Sequence, residues 1–183
     1  NFTTATDTYN VAVGWNAGLA VTTGVQNTII GGLAGDALTD ADRNVAVGYT
    51  ALGGDTLGND SVAIGASTLR VQNFTTATST YNTAVGSNAG RNISTGVKNT
   101  FIGGLTGDAI TAGTLNTAVG SSALTGDTLG SKTTAIGEGA LAVQNFTTAT
   151  DTFNVALGYQ AGVAVTTGIK NTIIGAIAGD ALT

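Results

Sequence analysis

The sequence predicts an all-β fold, a parallel β-solenoid or β-roll built of stacked 17-residue coils. The first observation behind this prediction is a five-residue pattern that returns ten times along the chain at a nearly fixed interval. The second is the content of 28 glycines in 183 residues, a density that disfavours helices. The third is that apolar residues within the pattern alternate with a period of two, as they do in strands.

The repeating unit is Asn-x-x-aliphatic-Gly, with Ser61 and Thr133 in place of the asparagine in two copies. Three spacings of 17 between successive copies are followed by one of 21, and this set forms a super-repeat with a period of 72. The chain is therefore one repetitive domain, 1–183, that divides into super-repeats 1–72, 73–144 and 145–183, the last one partial. Because solenoids need capping units and none is recognisable, we expect this segment to be a fragment of a longer chain.

Each unit predicts one short strand. Its second residue is always β-branched: Val11, Thr28, Val45, Val62, Thr83, Thr100, Thr117, Thr134, Val155 and Thr172. Its fourth residue is always aliphatic: Val13, Ile30, Val47, Ile64, Val85, Ile102, Val119, Ile136, Leu157 and Ile174. The period of two places both columns on one face. We expect these columns to stack into the interior of the solenoid, and the smaller middle residue, usually alanine, to face a neighbouring chain.

The connectors between strands predict corners. The glycine that ends every unit suits a corner with positive φ or a close approach of two backbones. At the eighth position after it comes a hydroxyl column: Thr22, Thr39, Thr56, Ser94, Thr111, Thr128, Thr166 and Thr183. We expect these hydroxyls to hydrogen-bond at a second corner. An outward threonine ladder is also the basis of an ice-binding alternative, but this column is mostly one threonine wide and asparagine breaks it at each long connector.

Composition argues against several classes of function. The net charge is −5 and the six basic residues are scattered, which disfavours binding to nucleic acid. No apolar run approaches the ~20 residues of a membrane-spanning helix, so we expect no membrane insertion in this segment. The chain has no histidine or cysteine and no specified pair of carboxylates. We therefore predict no enzymatic activity and no cofactor.

Calcium binding is an alternative that two segments raise. "GGLAGDAL" at 31–38 and "GGLTGDAI" at 103–110 are close to the G-G-x-G-x-D-x-U-x motif of calcium-binding β-rolls. The third glycine falls one place late, and the segment returns only once in each super-repeat. Asp36, Asp40 and Asp42 are neighbours in sequence, but the second copy keeps only the first of them. We favour a turn with no metal, and keep a calcium-stabilised solenoid as the alternative.

The long connector of every fourth unit carries the segment "VQNFTTAT" at 71–78 and 143–150, and it exceeds the other connectors by an insertion of four. Four aromatic residues accompany it: Phe74, Tyr81, Phe146 and Phe153. At an exposed tip their rings could stack against sugar rings, so they are candidates for surface recognition of a glycan or protein receptor. The favoured interpretation is that they pack the insertion onto its own rod or onto a neighbouring chain and lock the register.

Several motifs resemble known repeat families. "SVAIG" from Ser61 and "NTAVG" from Asn82, each within a glycine-rich chain, resemble the head repeats of trimeric autotransporter adhesins. "NVALGYQAG" with "TTGIKNTIIG", within 154–175, is similar to the arrays of phage tail-fibre-like proteins. The resemblance covers essentially the whole chain and is specific for architecture more than for activity.

This resemblance implies an elongated homotrimer of parallel β-rolls, with a monomeric β-solenoid as the alternative. It implies a structural shaft of a phage tail fibre or surface adhesin, which holds a receptor-binding tip away from its anchor. The corresponding location is a virion surface appendage, or the extracellular surface of a cell. The 17-residue coil and the regularly longer fourth unit depart from the adhesin heads, so the shape of the coil stays open.

Overall fold

The structure is a computed structural model that describes residues 3–182. It is all-β, without a helix in that range, and its short strands are separated by turns and bends. The strands are β1 Val11–Val13, β2 Thr28–Ile30, β3 Val45–Val47, β4 Gly58–Asn59, β5 Val62–Ile64, β6 Thr78–Ser79, β7 Thr83–Val85, β8 Thr100–Ile102, β9 Thr117–Val119, β10 Gly130–Ser131, β11 Thr134–Ile136, β12 Thr150–Asp151, β13 Val155–Leu157 and β14 Thr172–Ile174.

The ten three-residue strands form one parallel sheet, in which each strand pairs with the strand of the next coil. Val13 pairs with Ile30, and Ile30 with Val47, in the register that the repeat predicts. The predicted β-solenoid of ten stacked coils is therefore confirmed. Two small parallel sheets form where a long connector follows an ordinary one. They pair β4 with β6 and β10 with β12.

The prediction of which face points inward is wrong. The middle residues are buried in nine of the ten strands, all except Ala12 in the terminal strand β1. Ala63 and Phe101 are fully inaccessible, whereas Ile64 and Ile102 expose 38% and 42% of their surface. A three-residue strand directs one side chain to one face and two to the other. The coil is so thin that its opposite wall touches the middle residue, which leaves no room for two β-branched columns. The predicted columns stack in line, but on the outside.

Inside the coil, a large side chain at the middle of a strand faces a glycine on the opposite wall. Phe101 is the largest fully buried side chain, and a Cβ at Gly107 would lie 2.5 Å from its ring. Where the strand carries alanine, four coils instead place a leucine at the same facing position: Leu52, Leu69, Leu124 and Leu141. These leucines have φ between 48° and 55°, a backbone region that leucine rarely adopts. Filling the interior therefore outweighs a backbone cost of about 1–3 kcal/mol.

The glycines that end the strands make close contact between coils, as predicted. Gly86 has a φ of 131°, and a Cβ there would lie 2.5 Å from the carbonyl oxygen of Gly103 in the next coil. Its counterparts at the ends of nine other strands have φ between 124° and 138°. The corner thus requires glycine both for its conformation and for the spacing of the stack.

Substitution of this corner glycine is expected to destabilise the solenoid strongly. Gly86→Ala should lower the free energy of unfolding by about 3 kcal/mol or more, because the strained φ alone costs about 1–3 kcal/mol and the methyl group also separates two coils. Gly104→Ala is the matched control, since a Cβ there has only one neighbour, the carbonyl oxygen of Ser87 at 4.0 Å. Chemical denaturation followed by circular dichroism measures both. Equal stabilities of the two variants would contradict the role assigned to the corner.

Candidate functional site

The outer face of the ten-stranded sheet is the candidate functional site, and we call it the sheet face. It consists of the second and fourth residues of the ten repeat units, which are the first and third residues of the ten strands. None of these twenty side chains is charged, and all are valine, isoleucine, leucine or threonine. Exposure within the sheet face ranges up to 57% at Val13 and 66% at Ile174, near the two ends of the rod. The face therefore presents a regular, largely apolar strip along the whole stack.

Aromatic side chains border the sheet face on both sides. The residue that precedes each Asn-x-x-aliphatic-Gly unit forms one flanking column, and the residue that follows its glycine forms the other. Together these columns hold all four tyrosines, the only tryptophan and one phenylalanine of the chain: Tyr9, Tyr81 and Phe153 on one side, and Trp15, Tyr49 and Tyr159 on the other. Each of the six is between 47% and 71% exposed. The flanking columns thus place exposed rings beside the apolar strip, and charged side chains such as Arg43, Asp60 and Lys98 lie between these rings.

The four aromatic residues of the long connectors fall into two pairs. Phe74 and Phe146 are buried, at 8% and 7% exposure, so their rings pack the insertion onto its own rod. Tyr81 and Phe153 belong to a flanking column and are 57% and 49% exposed. The ammonium of Lys132 lies 5.2 Å from the centroid of the Phe153 ring. Of the four candidates for surface recognition, only the second pair offers an accessible ring.

A buried polar network anchors the first long connector. Asp55 is fully buried, and its Oδ1 accepts hydrogen bonds from the backbone N–H of Gly58 at 3.1 Å and of Phe74 at 3.0 Å. Its Oδ2 accepts one from Nε2 of Gln72 at 2.6 Å. Oε1 of Gln72 in turn accepts a hydrogen bond from Nδ2 of Asn82 at 2.9 Å. One carboxylate therefore ties together the ordinary coil, the inserted segment and the following strand.

The second long connector repeats this network. Asp127 accepts hydrogen bonds from Gly130 and Phe146, and from Gln144 at 2.7 Å. Oε1 of Gln144 accepts one from Asn154 at 2.8 Å. In both networks the aspartate accepts the amide three positions later, which is the local turn that a Gly-Asp pair favours. The glutamine partners were not predicted from the sequence, although each glutamine follows its aspartate by one coil length.

An asparagine ladder fixes the register beneath the sheet face. Oδ1 of Asn82 accepts the backbone N–H of Asn99 at 2.9 Å, and Asn99 repeats this with Asn116 at 3.0 Å. Nδ2 of each asparagine donates to a carbonyl of the same coil, as from Asn99 to Gly113 at 2.9 Å. At Ser61 the ladder lacks its asparagine, and the hydroxyl of Thr80 from the insertion accepts the N–H of Asn82 instead. The inserted segment therefore completes the ladder.

The predicted threonine corner forms hydrogen bonds between coils. The hydroxyl of Thr39 donates to the carbonyl of Thr56 at 3.0 Å, and that of Thr111 donates to the carbonyl of Thr128 at 3.1 Å. Thr183 of this predicted column lies outside the described residues. These hydroxyls hydrogen-bond one coil to the next, which agrees with the favoured interpretation of the column.

The acidic residues considered for calcium are distributed over different contacts. Asp40 accepts a hydrogen bond from the hydroxyl of Thr23 at 2.6 Å, and Asp42 accepts one from the backbone N–H of Val25 at 2.8 Å. Across residues 3–182 no group of three or more acidic side chains comes close enough to hold a metal ion. No observation in the described fold therefore favours the calcium alternative.

Within residues 3–182, two ion pairs join adjacent coils, Arg43 with Asp60 and Lys132 with Asp151. Nε of Arg43 lies 2.6 Å from Oδ1 of Asp60, and this hydrogen bond lowers the pKa of Asp60 and raises the pKa of Arg43. Because the pKa of the carboxyl is lowered in the folded state, the pair stabilises the fold above the ordinary pKa of aspartate. This contribution is lost as the pH falls through the lowered value. Both side chains are partly exposed, so the contribution is small.

Comparisons with known proteins give no further assignment. No family model, no curated protein and no solved structure matches the chain. Within the described part of the chain, no helix is long and apolar enough to cross a membrane.

Proposed function

We propose that this chain is a structural shaft that assembles as a homotrimer through the sheet face. The observation that carries the proposal is the continuous, partly exposed strip of valine, isoleucine, leucine and threonine on the outside of a solenoid whose interior is already filled. In residues 3–182 every buried side-chain nitrogen and oxygen has a hydrogen-bond partner. The chain thus completes its own core and leaves one apolar face for a partner.

The size of the strip favours burial against other copies. Ten strands at ~4.8 Å give a length of about 45 Å, and a width of about 10 Å makes an area on the order of 400 Å². This falls within the range of the largest apolar patches on soluble proteins, which often mark interaction sites. Stable interfaces bury about 800 Å² on each partner, so the exposed rings of the flanking columns must be covered as well, with the charged side chains of these columns at the rim. Aromatic residues are enriched at such interfaces.

The direction of the strip favours assembly around an axis parallel to the rod. The sheet face runs along the stack without interruption, so copies related by such an axis cover it over its full length. Closed cyclic symmetry buries every copy of the strip equally. The number three comes from the resemblance to trimeric adhesin heads and tail-fibre-like arrays. Light scattering on the purified chain is expected to give three times the 17.9 kDa of one chain. A mass of one chain would reject the assembly.

The proposed role as a spacer predicts that length follows the number of coils. Deletion of residues 73–144 removes one super-repeat and joins Gln72 to Asn145, a junction that already occurs at 144–145. We expect the variant to fold and to assemble, with a rod about 19 Å shorter, because four coils are lost at ~4.8 Å each. Small-angle scattering measures the maximum dimension.

Deletion of residues 73–143 is the control for this prediction. It removes one residue fewer, so the long connector at the junction holds one residue too many and either Gln72 or Gln144 must leave the stacked position beside Asp55. We expect this variant to keep its coils but to melt at a lower temperature than the exact deletion, as measured by circular dichroism. Equal melting temperatures of both deletions would contradict a spacer whose coils are joined in exact register. The same role places the segment in a tail fibre or surface adhesin, between an anchor and a receptor-binding tip.

Ice binding is a second candidate, because threonines occupy four consecutive strands of the sheet face. Thr83, Thr100, Thr117 and Thr134 stack in one column beside an aliphatic column. A flat outward array of this kind could order water if the sheet face stays uncovered. Thermal hysteresis in a solution of single chains would support this function, and a trimer without hysteresis would reject it.

A further inference from the structure

A groove lies among the connectors that follow β2, β3 and β5. It is open to solvent and has a volume of about 430 Å³, within the usual range for small-molecule sites. Residues from three successive coils line it, among them Leu33, Asp36, Gly53, Gly54, Arg70 and Val71. The groove therefore crosses the stack.

Opposite charges line this groove two coils apart. Asp36, Gly53 and Arg70 follow one another at intervals of one coil length and occupy the same position of successive coils. A Cβ at Gly53 would lie 3.1 Å from Oδ1 of Asp36, so the carboxylate leans over the glycine. Within residues 3–182, neither the carboxylate of Asp36 nor the guanidinium of Arg70 has a hydrogen bond or ion pair with another side chain. The glycine between them leaves both groups available to a ligand.

The second super-repeat fills the corresponding space. Thr125 stands where the first copy has Gly53, and its hydroxyl donates to Oδ1 of Asp108, the counterpart of Asp36. Ala142 stands where the first copy has Arg70. The other lining residues are the same in the two copies, apart from serine in place of a threonine. The open groove is thus a local feature of the first copy and no consequence of the coil architecture.

We propose that this groove binds one acidic sugar residue of the uronic acid class. The guanidinium of Arg70 would hold the carboxylate, since the two groups match in planar, bidentate geometry. The carboxylate of Asp36 accepts hydrogen bonds from ring hydroxyls, and Leu33 and Val71 offer apolar contact to a sugar face. The proposal does not depend on the number of chains in the assembly.

The test is a titration of the ¹⁵N-labelled full chain with glucuronate, followed by the amide signals of Gly53 and Gly54. We expect saturable shifts with a dissociation constant on the order of 1 mM, typical of a small polar ligand. Glucose and acetate should each bind at least about tenfold more weakly, because each supplies only half of the contacts. Absence of saturable shifts with glucuronate would overturn the proposal.

Substitutions that exchange groove residues between the two super-repeats provide a further test. Gly53→Thr fills the groove with the side chain that Thr125 already places in the same coil position, so it should fold normally and lose the shifts. Arg70→Ala should remove the preference for glucuronate over glucose. Thr125→Gly combined with Ala142→Arg should open a second groove and raise the stoichiometry from one to two. Unchanged binding in Gly53→Thr, or a stoichiometry that stays at one in the double variant, would overturn the proposed site.

Discussion

An aspartate in place of Ile102 is expected to convert the proposed trimer into single chains. Ile102 lies at the end of β8, near the middle of the ten-stranded sheet, and exposes 42% of its surface in the single chain. Three copies would bring three carboxylates together around the shared axis. Burying an unpaired charge costs several kcal/mol, and like charges in close contact add to that cost. Light scattering should then give a mass near 17.9 kDa in place of three times that value.

Leu105→Asp is the matched control for this variant. Leu105 follows Ile102 by three positions, is 45% exposed and lies in the connector outside the sheet face. Its φ is 58°, a conformation that aspartate tolerates better than leucine. We expect this variant to keep the mass and the thermal stability of the parent chain. If Ile102→Asp also keeps the parent mass, the sheet face is no interface.

The stacking of the coils could be predicted because it depends on the repeat alone. A unit that returns once per coil length brings Val13, Ile30 and Val47 to the same place in successive coils, whatever the shape of the coil. The positive φ at the strand-ending glycines followed from the same regularity. These features belong to the backbone, which the period and the glycines determine.

Alternation alone does not tell which face of a strand points inward. Either assignment places complete columns of side chains on the inside and on the outside of the solenoid. A β-branched column suggests a core in an ordinary sheet, but a coil this thin has room for only one inward side chain per strand. A signal was present in the sequence. The middle residue is large at Ile29 and Phe101, and a glycine follows at the sixth position after it in both coils, at Gly35 and Gly107. Such size compensation occurs between residues that share an interior.

The polar interior could not be predicted for a different reason. Taken alone, Asp55 after Gly54 is an ordinary turn aspartate, and Gln72 is an ordinary polar residue of a connector. Their significance lies in stacking, since they occupy adjacent coils at the same inward position. The position of Tyr81 and Phe153 beside the sheet face could not be predicted either, because that face was assigned to the interior.

Removal of the Asp55 carboxylate is the second change with a large expected effect. In Asp55→Ala the amides of Gly58 and Phe74 lose their acceptor inside the rod, and Nε2 of Gln72 loses one of its two acceptors and keeps only the hydroxyl of Ser61. Each buried donor without a partner costs about 1–3 kcal/mol, so we expect a loss of about 3–5 kcal/mol in the free energy of unfolding. Chemical denaturation followed by circular dichroism measures it. Asp36→Ala, which removes a carboxylate without a side-chain partner in the described chain, should stay within about 0.5 kcal/mol of the parent.

A second variant separates the loss of hydrogen bonds from the loss of volume. Asp55→Asn keeps the volume and one oxygen acceptor for the amides of Gly58 and Phe74, but its NH2 group then faces Nε2 of Gln72, a donor against a donor. We expect this variant to lose about 1–3 kcal/mol, less than Asp55→Ala, because only one buried hydrogen bond is lost. The hydrogen exchange of the amides of Gly58 and Phe74 should stay slow in Asp55→Asn and become fast in Asp55→Ala. Full stability of Asp55→Ala alone would show that the insertion is held by Phe74 packing and not by the carboxylate.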